Sequence, residues 1–210
     1  REALQLIKRE NPFPAVCGRI CNRRCEDACT RGTVDEAVSI DAVKKFIAEQ
    51  DLNAEHRFVP EIVVASNKGR WTEKIAVIGG GPAGMQAAIV LAKRGFRVDL
   101  LEKKDYLGGM AYLATVPPHK TMVAEFIKTL TAEMKEVGVA VHMNTSADVK
   151  TVKKLEPYAV VVANGGTEIV PKVAGLEAAN VHTMEEALLK KVTFSGKRVA
   201  VIGGGQSPRP

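Results

Sequence analysis

The first fifty residues carry apolar side chains at helical spacing, which predicts a small helical unit. The apolar positions of this pattern are Leu4, Ile7, Ile40, Val43, Phe46 and Ile47. The stretch Asn11-Pro-Phe-Pro14 interrupts the first helix, because proline has no backbone N–H and cannot continue a helix. Residues 53 to 71 show no clear periodicity, so we predict a linker there.

A different pattern follows, in which a strand, a glycine turn, a helix and a second strand succeed one another. The first strand is predicted over 75 to 78, and the helix after it carries small side chains until Gly95 ends it. Residues 98 to 101 form the second strand, which ends at Glu102. A strand–helix–strand unit of about thirty residues predicts parallel pairing with a right-handed crossover.

The remaining chain continues the alternation of helices and strands. We predict an amphipathic helix over 122 to 137, a strand over 139 to 143 and, because the run is continuously apolar, a buried strand over 158 to 163. Residues 198 to 202 are predicted to form another strand, which enters Gly203-Gly-Gly205. The predicted fold class is therefore α/β, a Rossmann-like domain with a parallel sheet, preceded by a small all-α unit.

Composition adds little to this picture but excludes several classes of protein. Of the 210 residues, 46% are hydrophobic and 26% are charged, which is ordinary for a soluble globular protein. The net charge of +6 is spread along the chain without interleaved aromatic residues, so we expect no nucleic-acid partner. We also expect no membrane span and a cytoplasmic location. The chain opens at Arg1 and stops inside a glycine motif, which predicts a fragment of a longer protein.

The turn after the first strand has the spacing of a dinucleotide-binding motif. Gly79-Gly-Gly81-Pro-Ala-Gly84 fits G-x-G-x-x-G and lies between a hydrophobic strand and a helix. Gly79 permits the tight turn, Gly81 lets the backbone approach a pyrophosphate, and Gly84 allows close packing of helix and sheet. Glu102 stands where an acid can bind ribose hydroxyls, which disfavours a 2′-phosphate. The alternative is a glycine turn without a ligand.

Four cysteines lie within thirteen residues and occur nowhere else in the chain. Their spacing is C-x3-C-x3-C-x3-C, at Cys17, Cys21, Cys25 and Cys29. Such a density of thiolates suits a soft metal or an iron–sulfur cluster, although zinc and an unligated group remain alternatives. In one continuous helix the first and last sulfurs would lie about 18 Å apart. The segment must therefore bend, or the cysteines serve two clusters.

The glycine turn and the residues after it resemble the FAD-binding start of the two-dinucleotide flavoproteins, the pyridine nucleotide-disulfide oxidoreductases. Gly79 to Met110, with Gly108-Gly109 after the acid, carries the resemblance, and Tyr158 to Gly166 fits the returning strand, although Asn164 replaces the usual Thr. The resemblance implies FAD contacts at Gly79, Gly81, Pro82, Ala83, Gly84, Glu102, Lys103, Gly108, Gly109 and Gly165. It implies NAD(P)H contacts at Gly203 and Gly205, where Pro208 departs from the expected Gly or Ala.

The cysteine segment resembles the N-terminal iron–sulfur domain of the glutamate synthase small subunit family. The motifs are Asn11 to Cys21, Cys25-Glu-Asp-Ala-Cys29 and Ser39 to Phe46. The family also includes the N-terminal part of dihydropyrimidine dehydrogenase and the large subunit of electron-bifurcating transhydrogenases. The resemblance implies [4Fe-4S] clusters held by Cys17, Cys21, Cys25 and Cys29, together with an upstream cysteine motif that this chain lacks. Lys44 stands at or next to a position where some members have a Glu or Gln ligand.

These resemblances predict three regions and one activity. Residues 1–70 form a portion of an iron–sulfur domain with a linker, residues 71–195 the FAD domain, and residues 196–210 the start of an NAD(P)-binding domain. The implied enzyme passes electrons from NAD(P)H through FAD and clusters to a redox partner subunit or domain, and we expect the fragment to be inactive alone. Residues 113 to 120 are more similar to the flavoprotein portion of 2,4-dienoyl-CoA reductase and related NADH:flavin reductases than to glutamate synthase. A docking adaptor without catalysis and a zinc-stabilised regulator are further alternatives.

Overall fold

A computed structural model describes residues 1–58, 71–194 and 198–203. The N-terminal unit is helical, with α1 at Glu2–Glu10, α2 at Pro14–Ile20, α3 at Arg24–Asp27, a 3-10 turn at Thr30–Thr33 and α4 at Ile40–Leu52. The predicted helical unit is confirmed, and so is the break at residues 11 to 14, because α2 begins at Pro14. The predicted linker falls largely on residues 59–70, which lie outside the described residues.

An α/β unit follows, which confirms the predicted fold class. Its elements are β1 (Lys74–Ile78), α5 (Pro82–Lys93), β2 (Arg97–Leu101), α6 (Met110–Leu113), α7 (Thr121–Glu136), β3 (Ala140–His142), α8 (Val149–Lys154), β4 (Ala159–Val162) and α9 (Met184–Leu188). The strands pair in parallel in the order β3-β2-β1-β4. The carboxyl ends of β1, β2 and β4 therefore meet at one edge of the sheet, where ligands bind in folds of this kind.

The core lies between the central strands and two helices. Val77 of β1 and Leu100 of β2 are fully buried and belong to one apolar cluster with Met85 and Ile89 of α5. Helix α7 contributes Leu130 and Met134 to the same cluster. The sequence predicted both helices, α5 from its small side chains and the ending Gly95, and α7 from its amphipathic pattern. This core fixes the first turn of α5 at the carboxyl edge of the sheet.

Two strand predictions need correction. Residues 158 to 163 do contain β4, but Val160 and Val162 are exposed because, among the described residues, this strand has one neighbour, β1, and lies at the sheet edge. Residues 198 to 202 form no strand, because no neighbouring strand of the described chain pairs with them, and the side chain of Val201 is exposed. A run of apolar residues predicts an extended segment but not the partner that pairs with it.

The helical unit rests on α7 of the α/β unit. The ring of Phe13 meets the ring of Phe126 edge to face at 5.0 Å between centroids. Arg57 and Glu125 form an ion pair at 2.9 Å. Within residues 1–58, 71–194 and 198–203, no helix combines the length and the apolar character that a membrane crossing needs.

Candidate functional site

The glycine turn, residues 79 to 84, joins the carboxyl end of β1 to the first turn of α5. Gly79 has a φ of 104°, a conformation that side chains rarely adopt, and its N–H donates to the carbonyl of Leu101 at 2.8 Å. A methyl group on Gly84 would overlap the carbonyl oxygen of Gly79 and touch Ala163 of the returning chain. Close packing within the protein therefore accounts for both glycines.

Gly81 is different, because nothing in the protein requires it to lack a side chain. Any residue can adopt its φ of −76°. A Cβ atom added at Gly81 would have the Cα of Gly109 as its nearest neighbour, at 4.0 Å. Gly81 is also the N-cap of α5, and among the described residues no side chain caps this helix. The first-turn N–H groups and the positive end of the helix dipole thus face a space that a phosphate group can enter.

Residues 102 to 109, here called the acidic loop, cover one side of the glycine turn. Gly108 N–H donates to the carbonyl of Gly80 at 2.8 Å. Gly108 and Gly109 have φ values of 102° and 51°, and the Cβ position of Gly109 lies 3.1 Å from the Cα of Gly81. The loop and the turn therefore form a narrow cradle in which backbone meets backbone at Gly81 and Gly109.

Glu102 links the two halves of this cradle. Its side chain is buried, and one carboxylate oxygen accepts from Gly80 N–H at 2.6 Å while the other accepts from Lys104 N–H at 2.8 Å. Each oxygen has a second lone pair that ribose hydroxyls can use. The neighbouring Lys103 is exposed.

The remaining predicted nucleotide contacts are distributed unevenly. Pro82 and Ala83 form the first turn of α5, and Ala83 is exposed. Gly165 follows β4 with a φ of 68°, near the point where the chain passes Gly79. Gly203 is exposed with a φ of 120°, whereas Gly205 lies outside the described residues. The structure thus brings the residues of the first motif together and does not describe the whole second motif.

The cysteine segment, residues 17 to 29, is bent, which is one of the two alternatives that the spacing left open. Cys17 lies in α2, Cys21 is the C-cap of that helix, Cys25 lies in α3, and Cys29 precedes the 3-10 turn. All four thiols are free, and Arg23 N–H donates to the sulfur of Cys21 at 3.4 Å. Backbone N–H groups of Val38, Arg31 and Gly32 lower the pKa of Cys29. The lowered pKa favours the thiolate form of Cys29, the form that binds clusters.

The four sulfurs do not make a closed site by themselves. In the described residues of the chain, no three Cys, His, Asp or Glu side chains are grouped so that they could hold a metal ion. The thiols therefore fit a cluster by their chemistry, with further ligands needed to complete it.

Lys44 does not replace a missing ligand. Its ammonium lies 2.6 Å from the buried Asp41 carboxylate, and this carboxylate raises the pKa of Lys44. The contact is ionic in character, because the nearer oxygen of Asp41 has no partner at hydrogen-bonding angles. A protonated amine has no lone pair for iron.

Comparison with known protein families decides the assignment. Residues 73–207 match the family model described as pyridine nucleotide-disulphide oxidoreductase, which is more than half of the chain. The chain belongs to the pyridine nucleotide-disulphide oxidoreductase family. Residues 1–56 match the model of dihydropyrimidine dehydrogenase domain II, 4Fe-4S cluster. These matches confirm the predicted family and the predicted cofactor classes, FAD with NAD(P)H and a [4Fe-4S] cluster.

Individual relatives of this oxidoreductase chain cover different stretches of it. An NADH oxidase of Thermoanaerobacter brockii is 40% identical over 153 residues, which are 68% of this chain and 24% of the relative. The glutamate synthase [NADH] of Schizosaccharomyces pombe is 30% identical over 99% of this chain and 10% of its own length. A solved 2-naphthoyl-CoA reductase complex is 32% identical with a TM-score of 0.59, over 64% of this chain and 20% of that chain. The chain thus spans a quarter or less of these three proteins.

Sequence reasoning about this family member missed one group beside the cradle. Lys104 donates to the hydroxyl of Tyr106 at 2.8 Å and pairs with Glu185 of α9 at 2.6 Å. Tyr106 also stacks on Tyr112 of α6 at 4.1 Å between centroids. Because Glu185 is 81 residues from Lys104, no spacing rule links them. The sequence feature that could have indicated this group is the pair of tyrosines six residues apart, Tyr106 and Tyr112.

Proposed function

We propose that this chain is the FAD-binding and cysteine-bearing portion of an oxidoreductase that passes electrons from NAD(P)H through FAD and [4Fe-4S] clusters to a partner subunit or domain. Gly79, Gly81, Gly84, Glu102 and Gly109 hold the FAD. Cys17, Cys21, Cys25 and Cys29 supply cluster ligands. The match to glutamate synthase [NADH], which covers both units of the chain, supports the pairing of these two tasks.

The cofactors carry the electron chemistry, and the protein positions them. A bound FAD would supply the chemistry of accepting a hydride from NAD(P)H and of releasing electrons one at a time to the [4Fe-4S] clusters that the four cysteines would help to hold. The α5 amides bind the diphosphate, and Glu102 orients the ribose of the adenosine through the lone pairs that Gly80 and Lys104 leave free. The buried carboxylate also disfavours a 2′-phosphate at this site.

The single observation that carries this proposal is the open face of Gly81. Crowding accounts for Gly84 and a positive φ for Gly109, but neither applies to Gly81. A ligand that passes close to the backbone explains why a side chain is absent. The uncapped N-terminus of α5 at the same point indicates that this ligand is an anion.

Gly81→Asp tests the proposal, because it separates folding from ligand binding. Asp is a favoured N-cap and its charge complements the helix dipole, so the apoprotein should be as stable as the wild type or more stable. The same carboxylate would face the diphosphate. FAD affinity should fall at least about tenfold, since bringing like charges together costs several kcal/mol.

The matched control is Ala178→Asp, which adds the same charge at an exposed position outside the glycine turn and the acidic loop. FAD affinity, measured by titration of the apoprotein and flavin fluorescence, should be unchanged in this control. Unchanged affinity in Gly81→Asp, with a folded protein, would overturn the assignment of the diphosphate to this cradle.

A second function is favoured by the identity with the NADH oxidase and by the likeness to 2-naphthoyl-CoA reductase. In it, the same cofactors serve reduction of a small organic substrate, as in the flavoprotein portion of 2,4-dienoyl-CoA reductases. The full-length protein should be assayed anaerobically for NAD(P)H oxidation with unsaturated acyl-CoA and with a one-electron acceptor. Turnover with the acyl-CoA would favour the second function, whereas turnover with the one-electron acceptor alone favours the first.

A further inference from the structure

Helix α7 contacts both the acidic loop and the start of the cysteine helix through two adjacent residues. A Cβ atom added at Gly108 would lie 2.6 Å from the Cδ1 atom of Ile127. The backbone of the loop therefore packs closely against this side chain. The neighbouring Phe126 packs edge to face on Phe13. Phe13 is the N-cap of α2, the helix that carries Cys17. One turn of α7 therefore separates the cradle from the cysteine helix.

Further along α7, a buried ion triad fixes the same helix to the helical unit. Glu133 of α7 pairs with Lys8 of α1 at 2.6 Å and with Lys93 of α5 at 3.6 Å. The exposed fractions of these side chains are 6%, 8% and 14%, respectively. Lys8 also donates to the carbonyl of Phe58 at 3.3 Å. Because removing one partner of a buried ion pair is strongly destabilising, the triad opposes separation of the helical unit from the α/β unit.

The burial of this triad is not needed for the helices to form. Replacement of a buried ion pair by well-packed apolar residues is often neutral or stabilising, and in some proteins a buried ion pair instead specifies one arrangement of the elements that it joins. Burial lowers the pKa of Lys93, in keeping with the small exposed fraction of its side chain beside Glu133. Lys8 is the member of the triad that comes from the cysteine-bearing unit of the chain.

We infer that α7 holds the cysteine helix at a fixed position relative to the FAD cradle, and that Lys8 and Glu133 are positioning residues for electron transfer between the flavin and the cluster. The inference rests on the proposed function. It goes further in assigning the spacing of the two cofactors to specific contacts, Phe13 with Phe126 and Lys8 with Glu133. Lys8 and Glu133 act through the position of the cysteine helix.

Lys8→Met and Lys93→Met provide a matched pair of variants around one carboxylate. Each removes one ammonium group and keeps the apolar stem, and each leaves Glu133 one cationic partner. Lys8→Met breaks the link to the cysteine-bearing unit, whereas Lys93→Met breaks a link within the α/β unit. A general effect of losing charge at Glu133 would appear in both variants.

The experiment is anaerobic stopped-flow reduction of the full-length protein with its cofactors, following flavin and cluster absorbance after mixing with NAD(P)H. In Lys8→Met, flavin reduction should keep its wild-type rate. The later reduction of the cluster should slow about tenfold or more, because ångström-scale misplacement of reacting groups costs one to two orders of magnitude. Lys93→Met should keep the wild-type rates of flavin reduction and of cluster reduction. Lys8→Arg, which keeps the positive charge, should reduce the cluster at the wild-type rate.

Phe13→Leu weakens the contact with Phe126 and leaves the ion triad intact. It can replace Lys8→Met in the experiment if that variant does not fold. It should slow the same step. Unchanged cluster reduction in these variants, or equal slowing in Lys93→Met, would overturn the positioning role. A wild-type protein whose clusters stay oxidised after the flavin is reduced would overturn the proposed function, and this inference with it.

Discussion

A Cβ atom added at Gly109 would lie 3.1 Å from the Cα of Gly81, so the backbone of the loop after β2 contacts the backbone of the turn after β1. The two segments are joined at the same place by the Gly108 N–H to Gly80 carbonyl bond of 2.8 Å. The two strand ends thus meet through their backbones at Gly81 and Gly109, and the Glu102 side chain joins them at Gly80. This contact gives the cradle its shape, and several predictions depend on it.

Gly109→Ala should destabilise the protein and weaken FAD binding. The φ of 51° and the ψ of −128° at Gly109 form a conformation that L residues rarely adopt, at a cost of about 1–3 kcal/mol, and the added methyl group would push the loop away from Gly81. The control is Gly138→Ala, which has a comparable φ of 79° but meets nothing within 4 Å. Urea unfolding and FAD titration should show a loss of stability in both variants, larger in Gly109→Ala because of the contact with Gly81, and a loss of affinity in Gly109→Ala alone. Equal FAD affinity in the two variants would contradict the role of the contact.

Gly84→Ala separates helix propensity from packing. Propensity alone favours Ala over Gly inside a helix by about 1 kcal/mol, so a helix free of neighbours would gain stability. The new methyl group would instead overlap the carbonyl oxygen of Gly79. We expect a loss of about 1–3 kcal/mol or more in the free energy of unfolding, measured by urea denaturation of the apoprotein. A more stable variant would show that α5 does not pack on the turn as described.

Glu102→Gln should destabilise the apoprotein even without a ligand. The carboxylate accepts from two backbone N–H groups, and an amide can offer only one oxygen to them. Leaving one buried donor unsatisfied costs about 1–3 kcal/mol. Thermal and urea unfolding would measure this loss, with the exposed Asp105→Asn as the control for removing a carboxylate from the same loop. Stability equal to that of Asp105→Asn would mean that Glu102 does not support the turn.

The Lys104–Glu185 pair should make stability depend on pH in the acid range. A hydrogen bond from Lys104 lowers the pKa of Glu185. A carboxyl group with a lowered folded pKa stabilises the protein above its unfolded pKa of about 4.3, and this contribution disappears as pH falls through the folded pKa. Glu185→Gln lacks the contribution. The difference in unfolding free energy between wild type and variant should therefore shrink between about pH 5 and pH 3. A difference that is constant across this range would contradict the pairing.

The sequence was sufficient to predict the first motif because that motif is local. Strand, turn and helix follow one another between Lys74 and Lys93, and the acid that completes the unit ends the next strand. The same locality explains why a bent cysteine segment was one of the two alternatives that the sequence left open. One continuous helix would place the first and last sulfurs too far apart for one cluster, and this follows from the helical rise and the number of residues between them.

What the sequence did not predict depends on pairing between distant residues. The exposure of Val160 follows from the position of β4 at the sheet edge, which no local pattern encodes. The contacts of Lys8 with Glu133 and of Phe13 with Phe126 join segments more than one hundred residues apart. Charged residues in a helix normally face solvent, so nothing in the local pattern indicates that Lys8 and Glu133 are buried.

The most direct test of the account is an anaerobic visible spectrum of the purified full-length protein, with iron and zinc analysis, before and after addition of NAD(P)H. The account predicts flavin bands on a broad iron–sulfur absorbance, iron in place of zinc, and bleaching of both chromophores by NAD(P)H. A colourless protein without iron would contradict it and favour a docking adaptor. Stoichiometric zinc would favour a zinc-stabilised nucleotide-binding regulator.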